Sequence, residues 1–164
     1  MADTPNEPRG QREARRDTTA WHPKLRALHS YWVSLWRADR LPARQQIDPL
    51  AIPQLLDSVY LIDIERDPLR FRYRLMGTKL VSFRGRELKG LYMDEAHAQF
   101  ETSPIRLQYE ELARRAEPQW RKGAALFNWG EGRQSIERLL LPLATDGATP
   151  DCILGMSVYE EETD

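Results

Sequence analysis

At 164 residues, with 41% hydrophobic and 30% charged side chains, the chain can form one domain that buries roughly 70% of its unfolded surface; a second folded domain is not expected. The net charge of −1 speaks against a general polyanion-binding role, so nucleic acid is not expected as a partner. A single cysteine, Cys152, allows neither an internal disulfide nor a cysteine-based metal site. No run approaches the roughly 18 apolar residues of a membrane helix, and the N-terminus lacks the apolar stretch of a signal peptide, so a cytoplasmic protein with no membrane contact is expected.

Residues 1–19 carry Pro5, Pro8, Gly10 and charges of both signs but almost nothing apolar. They are expected to be a disordered tail, because they cannot offset the entropy of ordering themselves. From residue 20 to 38 the character changes. Trp21, Leu25, Leu28, Trp32, Leu35 and Trp36 recur at three- and four-residue steps on one stripe of an amphipathic helix, and His22-Pro23 marks its first turn. Two uses of the stripe stay open: packing on the domain's own sheet, or pairing with a second copy. Three tryptophans in so short a stripe favour a dimer helix, since tryptophan is enriched at binding hot spots, and a homodimer is therefore expected.

Leu41 to Pro49 reads as a proline-broken connector, with Asp48-Pro49 capping a short helix through Leu56. Val59 to Ile64 is a strand, Arg66-Asp67-Pro68 a turn, and Arg70 to Met76 a second strand. In the second strand Phe71, Tyr73 and Leu75 alternate with Arg70, Arg72 and Arg74. Thr78 to Arg84 and Asp94 to Phe100 are short helical pieces punctuated by Gly77, Gly85 and Gly90. Ser103-Pro104 opens a longer helix through Ile105, Tyr109, Leu112, Ala113 and Ala116, stopped by Glu117-Pro118. Strands at Lys122 to Trp129, Ser135 to Ala144 and Cys152 to Tyr159 follow, joined by turns at Gly130-Glu131-Gly132 and Asp146-Gly147, before an acidic end. This order predicts an α+β fold: a five-stranded antiparallel sheet with helices on one face, preceded by an N-terminal amphipathic helix.

Residues 41–160 resemble a PAS sensory domain, of the PAS family found in many alphaproteobacterial regulators. The resemblance rests on Leu41-Pro42-Ala43-Arg44 with Ile47-Asp48-Pro49, on Phe71 to Thr78, and on Gly85-Arg86-Glu87-Leu88-Lys89-Gly90. Glu137 to Leu143 with Asp146-Gly147, and Ile153-Leu154-Gly155, are similar to the family's closing hairpin. It implies a pocket between the sheet and the short helices, and a role in signal transduction. A stand-alone module is expected, because only Glu160 to Asp164 follow Tyr159 and no kinase, cyclase or DNA-binding segment is recognisable. Its output is then expected to pass to a protein partner.

From the alternation, the expected pocket lining is Phe71, Tyr73, Leu75, Leu139, Leu141, Leu154 and Met156, with Phe83 and Tyr92 from the helical side. Such a pocket suits a small, mostly apolar ligand with a polar handle near Tyr73 or Tyr92. Arg84 and Arg86 are candidate anion contacts, while Arg70, Arg72 and Arg74 read first as a solvated strand face. Haem ligation by His97 is disfavoured, because Asp94 and Glu95 beside it suggest a surface or capping histidine. Flavin photochemistry is rejected, because Cys152 opens a strand rather than sitting in a helical Asn-Cys-Arg motif. No metal or cofactor is expected. No nucleophile elbow, P-loop or His-Glu-x-x-His occurs, and Asp94-Glu95 and Glu110-Glu111 are adjacent helical pairs that do not face each other. A non-catalytic regulatory module is therefore expected. A constitutive protein–protein adaptor with a filled pocket is the first alternative, and a small enzyme using the same cavity the second.

Overall fold

The computed structural model describes residues 6–124 and 134–161, without the side chains of residues 83, 84, 134 and 161. Five strands, β1 (Val59–Glu65), β2 (Arg70–Met76), β3 (Gln119–Ala124), β4 (Gln134–Leu143) and β5 (Cys152–Glu161), form one sheet in the order β2-β1-β5-β4-β3. Every neighbouring pair is antiparallel. Among the described residues five α-helices accompany it: α1 (Arg9–Ala14), α2 (Pro23–Ser34), α3 (Thr78–Arg84), α4 (Met93–Ala96) and α5 (Pro104–Arg115). The predicted Trp129, the turn at residues 130–132 and residues 162–164 of the acidic end lie outside the described residues.

Each face of the sheet has its own apolar cluster, because β1, β4 and β5 carry hydrophobic side chains on both sides. On the inner face Tyr60, Ile62, Ile64, Leu140 and Ile153 pack with residues of α3 to α5 such as Leu80, Met93, Ile105 and Leu112. On the outer face Val59, Leu139, Leu141, Leu143, Leu154 and Met156 pack with Leu25, Leu28 and Trp32 of α2 and with Leu41, Ile52 and Leu55 of the connector. Helices α3 to α5 thus gather on one face as expected, and α2 seals the other.

That placement overturns the dimer-helix expectation. Leu25, Leu28 and Trp32 are 0% exposed; Trp32 Nε1 donates to the Pro142 carbonyl at 2.9 Å, and Trp21 stacks on Trp120 at 5.9 Å. Leu35 and Trp36, at the end of the helix, are half-buried. The stripe is therefore consumed by its own sheet, whose outer apolar face would otherwise stand in water.

The disordered-tail expectation also fails for residues 9–14, which form α1. The anchors are polar and steric rather than apolar. The Arg9 amide donates to Asp39 Oδ1 at 2.7 Å, and its guanidinium donates to the Ala116 carbonyl at 2.6 Å and lies over the Trp36 ring. Gly10 packs so closely that a Cβ there would stand 2.9 Å from Trp36 Cβ.

In the connector Asp48 does cap, its Oδ1 accepting from the Leu50 amide at 2.9 Å. The predicted helix through Leu56 resolves instead into separate 3₁₀ turns, Pro49–Ala51 and Leu56–Ser58, because Pro53 interrupts it. Strand β2 keeps its predicted bounds but not its phase. Leu61 pairs with Leu75 and Ile62 with Tyr73, leaving Arg74 as an extra residue. The bulge puts Leu75 outside, 43% exposed, and turns Met76 inward. The free edge of β2 is covered by the 90–92 segment: the Tyr73 amide donates to Leu91 O at 2.9 Å and the Gly90 amide to Tyr73 O at 2.7 Å. Gly90 makes that approach at φ 90°, a conformation that favours glycine.

Candidate functional site on the inner face of the sheet

Phe71 and Tyr73 of β2 face inward, where the helices meet them. Phe71, Phe100 and Tyr109 interlock edge to face, with ring centroids 6.2, 5.2 and 5.7 Å apart. Such pairs add directional stabilisation of about 0.5–1.5 kcal/mol beyond their burial. Beside them, Tyr73 Oη and His97 Nε2 share a hydrogen bond of 2.7 Å, with the donor set by the imidazole tautomer. His97 ends α4, its amide donating to the Met93 carbonyl at 2.9 Å, and it is only 4% exposed. It is a buried C-terminal cap, not a surface residue. The pair links β2 to the end of α4, and Tyr73 belongs to the apolar cluster that also holds Phe71, Leu88, Met93 and Phe100, where a polar contact is costly to leave unmade.

Further along the face, Tyr60 lies across Gly155. A Cβ at Gly155 would stand 2.8 Å from Tyr60 Cδ2 and closer still to Cε2 and Cζ. The Tyr60 hydroxyl reaches Ser157 Oγ at 3.3 Å. Glycine is required here by contact with a neighbouring ring, which is one reason for glycine inside a strand.

Of the predicted lining, then, Phe71 and Tyr73 lie in the inner-face core, and Leu75 is outside. Leu139, Leu141, Leu154 and Met156 are buried, but on the outer face against α2. The uninterrupted apolar run of β4 offers no alternation from which to choose a face. Tyr92 sits at the β2 edge, where its hydroxyl donates to Glu65 Oε1 at 3.0 Å and Arg70 stacks on its ring at 3.5 Å. The hydrogen bond to Glu65 raises the Tyr92 phenol above its ordinary range. The side chains of Phe83 and Arg84 lie outside the described residues. Arg86 is exposed, donating to the Ala96 carbonyl at 3.4 Å. Sequence reasoning missed Tyr60, Leu140, Ile153 and Gly155 on the inner face; Gly155, set between apolar strand residues, was the available signal for a close approach.

The arginines of β2 are paired. Arg70 binds Asp94 through two hydrogen bonds of 3.0 and 2.7 Å, which holds the Asp94 carboxyl below its ordinary range. Arg72 meets Glu65 at 3.4 Å and Arg74 meets Asp63 at 3.2 Å. Pairs as exposed as these contribute about 0–1 kcal/mol each, so they neutralise the face more than they stabilise it.

Among the described residues no group of three or more His, Cys, Asp or Glu side chains is placed to hold a metal ion, and no helix is long and apolar enough to cross a membrane. No curated protein matches the chain. The profile of the PAS domain family matches residues 20–158, most of the sequence, and the match takes in α2 as well as the sheet. With its five antiparallel strands and the short helices gathered on one face, the chain belongs to the PAS domain family.

Proposed function

We propose that the chain is a non-catalytic regulatory module that reads a signal on the inner face of its sheet and relays it to a protein partner in trans. The carrying observation is the buried Tyr73–His97 hydrogen bond. It sets a polar handle among apolar and aromatic side chains, the composition of a site for a small, mostly apolar ligand. His97 acts there as a hydrogen-bonding wall of the site and not as a haem ligand, because its Nε2 is engaged by Tyr73.

The moving part of this reading is the layer of α3 and α4. These helices have seven and four residues, and between them Gly85 and Gly90 adopt positive φ. Such short, glycine-separated elements belong to the low-stability end of a fold. A ligand that binds one arrangement of this layer better than another shifts the population toward it. The α2 seal stays fixed, because its stripe is buried in the outer core.

A constitutive adaptor is the second reading. It is favoured by Tyr60 lying across Gly155 and by the Phe71–Phe100–Tyr109 cluster, which fill much of the inner face with the protein's own rings. Native mass spectrometry beside a denatured control, with an absorption scan, separates the two. The proposal predicts a small co-purified mass that disappears on denaturation and in the Tyr73→Trp variant. A clean apo mass, together with undiminished partner binding by folded Tyr73→Trp, would establish the adaptor instead.

A further inference from the structure

At the end of the sheet where β1 begins and β5 finishes, a cleft of about 90 Å³ lies between the two helical layers. Lys24 of α2 lines it together with Lys79 and Leu80 of α3, Ser58, Ser157 and Tyr159. Both serines are buried, at 4% and 6% exposure. Ser58 Oγ donates to Asp57 Oδ1 at 3.1 Å, and Ser157 Oγ shares its hydrogen bond with Tyr60. Among the described residues neither Lys24 nor Lys79 has an ion-pair partner.

We infer that this cleft binds a small tetrahedral oxyanion of the phosphate class, held by the ammonium groups of Lys24 and Lys79. Lysine suits the role as a compact charge with three donors, and the space accommodates one such group and little more. A bound oxyanion would join α2 on the outer face to α3 on the inner face at one end of the sheet, tying the fixed layer to the layer assigned to movement. The site stands apart from Tyr73 and His97, so it survives or fails independently of the functional reading above. Two sources share this chemistry, the free ion and a small phosphomonoester.

The test is a titration of the full ¹⁵N-labelled chain, followed by NMR at constant ionic strength, with inorganic phosphate and separately with glycerol 3-phosphate. Saturable shifts are expected at the amides of Ser58, Lys79, Ser157 and Tyr159. Lys24→Met and Lys79→Met should each weaken binding by roughly tenfold, the effect of losing one charge-assisted contact. Lys89→Met, an exposed lysine outside the cleft, should leave binding unchanged. Tighter binding of the ester identifies a phosphomonoester as the source, and tighter binding of phosphate identifies the free ion. Non-saturating shifts, or wild-type affinity in the folded double variant Lys24→Met with Lys79→Met, would overturn the assignment.

Discussion

Replacing Gly155 with alanine isolates the closest contact on the inner face. The backbone there is not in the left-handed region, so alanine meets no conformational penalty; its cost arises from the Tyr60 ring, which a Cβ would approach to 2.8 Å at Cδ2 and more closely at Cε2 and Cζ. Tyr60 is 5% exposed and cannot swing into water without leaving the core. Overpacking of this kind costs about 1–3 kcal/mol, which for a domain of this size lowers Tm by roughly 2–12 °C. In a Tyr60→Leu background the clash is relieved, and alanine should then be neutral or stabilising by about 0.4–1 kcal/mol. Urea unfolding of the four proteins of this double-mutant cycle measures the coupling. A Gly155→Ala variant within about 0.5 kcal/mol of wild type, or an equal cost in both backgrounds, would refute the reasoning.

Trp32→Ala should destabilise the chain by about 3–5 kcal/mol in urea, because it empties the outer core and strands the Pro142 carbonyl. The folded fraction should keep its oligomeric state in light scattering, and dissociation of a dimer would contradict the placement of α2. The Cys152 thiol is pushed up to about 12 by burial and, after that, by Asp63 and Asp151. It should resist alkylation by iodoacetamide at mildly alkaline pH until urea unfolds the protein, and stoichiometric labelling of the native chain would refute this. For Glu13, burial works to raise the carboxyl, but hydrogen bonds from Arg16 and His29 outweigh it and hold the group at about 2 instead of 4.5. The folded value lies below the unfolded one, so its contribution is complete above 4.5 and is lost as pH falls through about 2. NMR cross-relaxation between Gly10 and the Trp36 ring should weaken across that window, and an unchanged signal would show that Glu13 does not secure α1.

Much of the architecture was legible because local signals agreed with the fold. The bounds of β2 and α3, the helix after Ser103 and the four buried residues of α5, with the buried Ala116 just beyond it, were all read directly, since turn residues and helical spacing mark them without tertiary information. The site was only partly legible. Alternation assigns Phe71 and Tyr73 correctly, but it cannot foresee that Arg74 bulges and reverses the phase for Leu75 and Met76. In β4 the run from Leu139 to Leu143 is buried on both faces, so only knowledge of α2 on the far side separates Leu140 from its neighbours. For α1 the reading failed because it counted apolar residues, whereas Arg9, Gly10 and Glu13 dock through a carbonyl, a close backbone approach and a hydrogen bond to His29. The buried role of His97 depends on a contact with Tyr73 from a different element, 24 residues away, which no local pattern records.

Amide hydrogen exchange across the whole chain tests most directly the claim that a movable inner layer rides on a sheet sealed by a fixed N-terminal helix. The account predicts that amides from Thr78 to Ala96 exchange through local opening well before those of Leu25 to Trp32 and Leu139 to Leu143, which should wait for global unfolding. Rapid exchange of α2 beside a protected α3 and α4 would contradict it.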